Sequence, residues 1–184
     1  MLPDPMARLS HLDARGRVRM AAATLRLLRA GRTPKGNVLA TAHLAAVMAA
    51  KRTGEWIPLA HPLRVEAVEV TFTLEPRRPG VAIEARVRST GRTGVEMEAL
   101  TAVAAAALTL VDMLKAVDRT LVVQEIAVWE KRGGRSGDWQ RPAAVARTAR
   151  PAAAPVRARA RVPGAATRRP ARRRATPRAS RRGR

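Results

Sequence analysis

Apolar residues recur along this chain with two different periods, and the periods divide it into helices and strands. In "MAAATLRLLRAG", Leu25, Leu27 and Leu28 fall on the apolar side of a short helix that Gly31 closes. "VLATAHLAAVMAAKR" predicts a second, alanine-rich helix, with Asn37 placed to cap its start and Gly54 just beyond its end. Prolines at 58 and 62 make "WIPLAHPL" extended or turned rather than helical. "RVEAVEVTFTLE" sets Val65, Ala67 and Glu69 on one face and Val68, Val70, Phe72 and Leu74 largely on the other; with "VAIEARVRST" it predicts an antiparallel hairpin joined by "PRRPG". A long helix from about Val95 to Val117 follows, apolar nearly all round and expected to be mostly buried between a sheet and another layer. "LVVQEIAVWEK" reads as a last strand ahead of the glycine-rich "RGGRSGDW". There is no regular βαβ period and no internal repeat, so the expected class is α+β, an antiparallel sheet with helices packed on one face. Residues 1–19 show no comparable run and read as poorly ordered.

Charge changes this picture only at the C-terminal end. The 184 residues carry a net charge of +22, yet Arg141 to Arg184 hold 15 Arg and no acidic residue, leaving +7 on residues 1–140. That segment has no aromatic residue and no Leu, Ile or Met, so it is expected to be disordered: it has too little apolar surface to offset the entropy of ordering. An arginine arm of this kind contacts nucleic acid nonspecifically. The same Ala, Arg, Pro and Gly vocabulary is what G- and C-rich codons give in almost any reading frame, and the lack of interleaved aromatics favours that origin. The absence of cysteine excludes disulfides and zinc-thiolate sites and fits a reducing cytoplasm. With no signal-peptide core and no uninterrupted apolar stretch of about 20 residues, a soluble cytoplasmic protein is expected.

Four charges stand at the ends of the long apolar helix: Glu96 and Glu98 at its start, Asp112 and Lys115 near its end. Asp112 and Lys115 are spaced to meet on one face, so the ammonium holds the carboxylate ionised; spacing alone favours an ordinary surface ion pair. Glu98 and Asp112 are roughly 21 Å apart along one continuous helix, too far to serve one small-molecule site within a chain. His61 lies in a proline-directed loop, where an imidazole acts as acid, base or phosphate donor, although a lone loop histidine is more often structural. Lys35 precedes Gly36 and a capped helix, a place where anions are held, but "KGN" is not a phosphate-binding loop of known pattern. Lys51 and Arg52 near the end of the alanine-rich helix could simply answer its dipole.

Taken in order, "KGNVLATAHLAAVMAAKRTGEWIPLAHPL", "GRTGVEMEALTAVAAAALTLVDMLKAV" and "GGRSGDW" closely resemble the cyclic pyranopterin monophosphate synthases of molybdenum cofactor biosynthesis. The resemblance implies a ferredoxin-like α+β domain over residues 20–140, shortened at its N-terminus so that a first edge strand and one arginine are missing. It also implies a homohexamer built as a trimer of dimers, with active sites at the dimer interface. The implied reaction converts (8S)-3',8-cyclo-7,8-dihydroguanosine 5'-triphosphate to cyclic pyranopterin monophosphate and releases pyrophosphate. Motif by motif, the family's catalytic residues fall on Asp112, Lys115, Lys35, Lys51, His61, Glu96 and Glu98, and its substrate contacts on Leu59, Ala60, His61, Met97 and Glu98. The chain departs from the family at Asn37, His43 and Ala60, where Asp, Arg and Cys are usual. No cofactor is implied. Glu96, Glu98 and Asp112 could hold Mg²⁺ with a triphosphate, but no ligand spacing requires it. The rival class is a nucleic-acid-binding protein built on an inactive scaffold of this kind.

Overall fold

A computed structural model describes residues 9–90, 93–133 and 136–142. Residues 1–8 and 143–184, on which the expected disorder of both ends largely falls, lie outside the described residues. The elements run β1 (Leu9–Arg19), α1 (Ala22–Arg29), α2 (Val38–Lys51), α3 (Thr53–Trp56), β2 (Val65–Glu75), β3 (Gly80–Thr90), α4 (Glu96–Leu114), β4 (Val122–Arg132) and β5 (Trp139–Gln140). Five antiparallel strands form one sheet in the order β2-β3-β1-β4-β5, which is the ferredoxin-like arrangement with a short edge strand added.

One expectation is corrected here. Residues 9–19 were expected to lack order and a first strand to be missing, yet β1 is the central strand, paired with β3 on one side and β4 on the other. Its period of two is hidden by charge. Leu12, Ala14, Gly16 and Val18 face the core, while His11, Asp13, Arg15, Arg17 and Arg19 alternate with them. The two arginines Arg15 and Arg17 are tolerated because neighbouring strands answer them. Arg17, though buried, donates to Glu75 of β2 at 2.5 Å and to Gln124 of β4 at 3.3 Å, and Arg15 is paired with Glu84 of β3 at 3.2 Å. Gly16 is obligatory at this crossing: a Cβ there would lie 2.5 Å from Val103 of α4 and 3.2 Å from Ile126 of β4.

Core residues of β1 and β3 (Val18, Ile83, Ala85, Val87) pack against Ala99, Val103, Ala106 and Leu110 of α4. The alanines let α2 and α4 approach closely, through Ala42, Ala46 and Ala50 on the α2 side. Asn37 caps α2 as its position implies, its side chain accepting from Ala40 N at 3.0 Å. The apolar length of α4 is thus explained by packing, with one exception. Leu108 is exposed and joins Leu44 and Met48 of α2 and Trp56 of α3 on an uncovered apolar face. The "WIPLAHPL" segment begins as the last residue of the one-turn α3 and then runs without helix to β2, and β5 had no signal in the sequence.

Candidate active site

Two clusters of charge stand at opposite ends of the α2–α4 pair. At the first, Asp112 projects from the last turn of α4 with its side chain 57 % exposed. One carboxylate oxygen pairs with Lys115 Nζ at 2.7 Å and the other with Lys35 Nζ at 2.9 Å, and the same ammonium donates to the Asp112 carbonyl at 2.9 Å. Lys35 reaches that point because Gly31 ends α1 in a left-handed turn and Gly36, also left-handed, closes a turn on Thr33. The hydrogen bond from Lys115, then that from Lys35, holds the Asp112 carboxyl down at about 2. Asp112 is therefore a fixed anion clamped between two ammonium groups.

At the second end, Lys51 closes α2 and Glu98 sits in the first turn of α4; with Thr53, Gly54, Pro62 and Leu63 they line a cleft of about 230 Å³. Glu98 is only 3 % exposed, and burial, with a smaller push from the Glu96 charge, moves its carboxyl above the usual glutamate range. Glu96 pairs with Lys131 of β4 at 2.8 Å. The segment carrying His61 is seated on Gly54, where a Cβ would come 3.3 Å from the Ala60 carbonyl. His61 itself is exposed, Leu59 is 91 % exposed and Met97 is half-buried. Between the clusters lies an open groove of about 510 Å³, lined by Met48, Arg52, Trp56, Ala105, Leu108 and Asp112 among others.

The residues singled out in the sequence thus separate into two groups. Lys35, Asp112 and Lys115 converge at one end, and Lys51, Glu96, Glu98 and the Leu59–Ala60–His61 segment gather toward the other. Because α4 is one unbroken helix, about 21 Å separates Glu98 from Asp112. The three carboxylates Glu96, Glu98 and Asp112 therefore do not meet around a single ion within the chain, and among the described residues no group of three or more His, Cys, Asp or Glu is placed to hold a metal. Sequence reasoning missed Lys131, which lies in register opposite core-facing Leu12; Arg52, weighed beside Lys51 as an answer to the helix dipole, is held by Glu55 and faces both the cleft and the groove.

The MoaC family model matches residues 7–134. The chain belongs to the MoaC family. Among its curated relatives, the cyclic pyranopterin monophosphate synthase of Chloroflexus aurantiacus is 58 % identical over 129 residues, covering 70 % of this chain and 79 % of the relative. The synthase of Thermomicrobium roseum is 57 % identical over 137 residues, 74 % of this chain and 82 % of the relative. That of Heliobacterium modesticaldum is 56 % identical over 128 residues, 70 % and 80 % respectively. The family match begins within two residues of β1, so the strand that sequence reading discounted belongs to the family's domain.

Proposed function

We infer that the chain is a lyase of molybdenum cofactor biosynthesis, converting 3',8-cyclo-7,8-dihydroguanosine triphosphate to cyclic pyranopterin monophosphate with release of pyrophosphate. The observation that carries this beyond likeness to its relatives is the clamp of Asp112 between Lys35 and Lys115. Lysines that turn toward phosphate oxygens neutralise the departing pyrophosphate, and each one that leaves Asp112 returns proton affinity to it. The clamp thus couples phosphate binding to the arming of a base. Buried Glu98, with a raised carboxyl, suits the complementary role of proton donor as the purine-derived ring opens and recloses. Lys51 and His61 supply further donors to the triphosphate, and Leu59, Ala60 and Met97 contact the substrate.

The active unit we propose is a two-fold dimer, three of which form a hexamer in the cytoplasm. Ala105 is midway between Glu98 and Asp112, is small, and lines the exposed groove. A two-fold axis perpendicular to α4 at that point brings the Glu98 end of one subunit onto the Asp112 end of the other. It also covers Leu44, Met48, Trp56 and Leu108. A nucleic-acid contact by the Arg-rich segment 141–184 is proposed as salt-sensitive, sequence-independent and lost on removal of the segment; binding unchanged by that removal would favour the reading-frame origin.

Incubating the purified chain with the cyclised dihydro-GTP tests the activity. Stoichiometric cyclic pyranopterin monophosphate and pyrophosphate are expected. No product from folded, assembled protein would contradict the assignment.

A further inference from the structure

Helix α1 has no cap of its own: Ala21 stands at the N-cap position and offers no side-chain acceptor. The acceptor comes from 97 residues away. One oxygen of Asp118, in the turn after α4, accepts from Ala21 N at 2.8 Å and Thr24 Oγ1 at 2.9 Å. The other oxygen accepts from Thr120 N at 2.8 Å and Thr120 Oγ1 at 2.7 Å. Asp118 is 7 % exposed and Thr24 is 2 % exposed, so this is a buried carboxylate with all its bonds directed at two segments. Although burial alone would push the group up, the donors from Thr120, Ala21 and Thr24 outweigh it and hold the carboxyl at about 2.

The two segments joined in this way are those that carry the lysines of the Asp112 clamp. Lys115 caps α4 three residues before Asp118, and the turn between them is closed by Asp118 N donating to the Leu114 carbonyl at 3.0 Å. Lys35 follows α1 through two successive closed turns. Gly31 N and Arg32 N bond back to Leu28 and Leu27, and Gly36 N bonds to Thr33, whose side chain is buried. From Thr24 to Lys35 the backbone is therefore tied almost continuously, and where its first turn sits decides where Lys35 Nζ arrives.

We propose that Asp118 is a positioning residue for the Asp112 centre, tying the start of α1 to the end of α4 so that Lys35 is delivered to the carboxylate that Lys115 already holds. The inference rests on reading Asp112, Lys35 and Lys115 as the catalytic centre, and its test separates the two. In the full-length assembled protein, the side-chain carboxyl ¹³C resonance of Asp112 at neutral pH, assigned with Asp112→Asn, reports the Lys35 contact without any need for activity. Lys35→Met moves that resonance. Asp118→Asn is expected to move it the same way, and the double variant no further. In turnover, Asp118→Asn is expected to lower kcat/KM about tenfold or more in the wild-type background and less than about threefold in the Lys35→Met background, with its full effect in a Lys51→Met background. If Asp118→Asn does not fold, Thr24→Val, which removes one of the four hydrogen bonds, is expected to move the Asp112 resonance in the same direction by less. An Asp118→Asn or Thr24→Val protein that melts earlier but leaves the Asp112 resonance unmoved makes Asp118 a helix cap only and overturns the proposal. Variants that show the expected resonance shifts alongside a wild-type chain that makes no product would refute the catalytic reading and leave the positioning role standing.

Discussion

Lys35 and Asp112 are 77 residues apart in sequence and meet at 2.9 Å. Neither is buried, so the contact adds little to stability; what it fixes is charge. Asp112→Asn preserves the shape and the backbone acceptor while removing the anion that two lysines address. The variant is expected to fold and assemble normally, judged by circular dichroism and native mass spectrometry, and to lose about 10²- to 10⁴-fold in turnover. Near-normal turnover would remove the carboxylate from the chemistry.

The two carboxyls assigned to proton transfer are displaced in opposite directions, which predicts the shape of the pH profile. With its carboxyl at about 2, Asp112 stays ionised throughout the working range, whereas burial lifts Glu98. As a proton donor Glu98 acts in its protonated form, so kcat/KM is expected to fall as pH rises through its raised carboxyl, and that limb is expected to be absent from the residual turnover of Glu98→Gln. Persistence of that limb in Glu98→Gln would show that another group supplies it.

Asp13 and Asp118 give stability opposite pH dependences. Burial chiefly, then the Glu84 charge, raises the Asp13 carboxyl to about 6, so the folded state binds more protons than the unfolded chain between about 4 and 6. Stability from this group rises as pH falls through that window, and at neutral pH its ionisation costs at most about 3 kcal/mol. Asp118 is depressed to about 2; its contribution is complete above the unfolded value near 3.8 and is lost as pH falls toward 2. Asp13→Asn is thus expected to raise the melting temperature at pH 7 and flatten the melting profile between pH 4 and 6. An unchanged profile would mean that the Arg15 pairing at 3.0 Å already offsets the burial.

Both helical faces and the β2–β3 hairpin were legible because their apolar periods are clean, and the Asn37 cap because a cap is local chemistry. β1 was not, since five charged or histidine residues alternate with its core positions and only the cross-strand partners Glu75 and Glu84 make Arg17 and Arg15 acceptable there. Likeness to a family marked Lys35 and Asp112 separately, but that they touch depends on how α1 is anchored, which no local pattern reveals. Lys131 and Asp118 were missed for the same reason: each acts on a residue distant in sequence, Glu96 in one case and Thr24 in the other. The gap between Glu98 and Asp112, by contrast, needed only the rise of a helix.

An uncovered face carrying Leu44, Met48, Trp56 and Leu108 is the surface on which the proposed dimer depends. Leu108→Asp places a charge at its centre without disturbing the α4 core, because Leu108 is 57 % exposed in the single chain. The expected result is a folded protein of lower oligomeric mass, with activity falling in step with dissociation. A variant of unchanged mass would place the interface elsewhere.

Mixing two impaired proteins tests the shared site most directly. Glu98→Gln and Asp112→Asn chains, each with only residual turnover as a homogeneous assembly, are dissociated together and allowed to reassemble, with subunit exchange verified by native mass spectrometry. If each site takes its Glu98 end from one subunit and its Asp112 end from the other, every mixed dimer holds one intact site, and random mixing restores about a quarter of wild-type activity. If exchange is complete and no activity returns, Glu98 and Asp112 do not act across subunits and the two-fold arrangement is wrong.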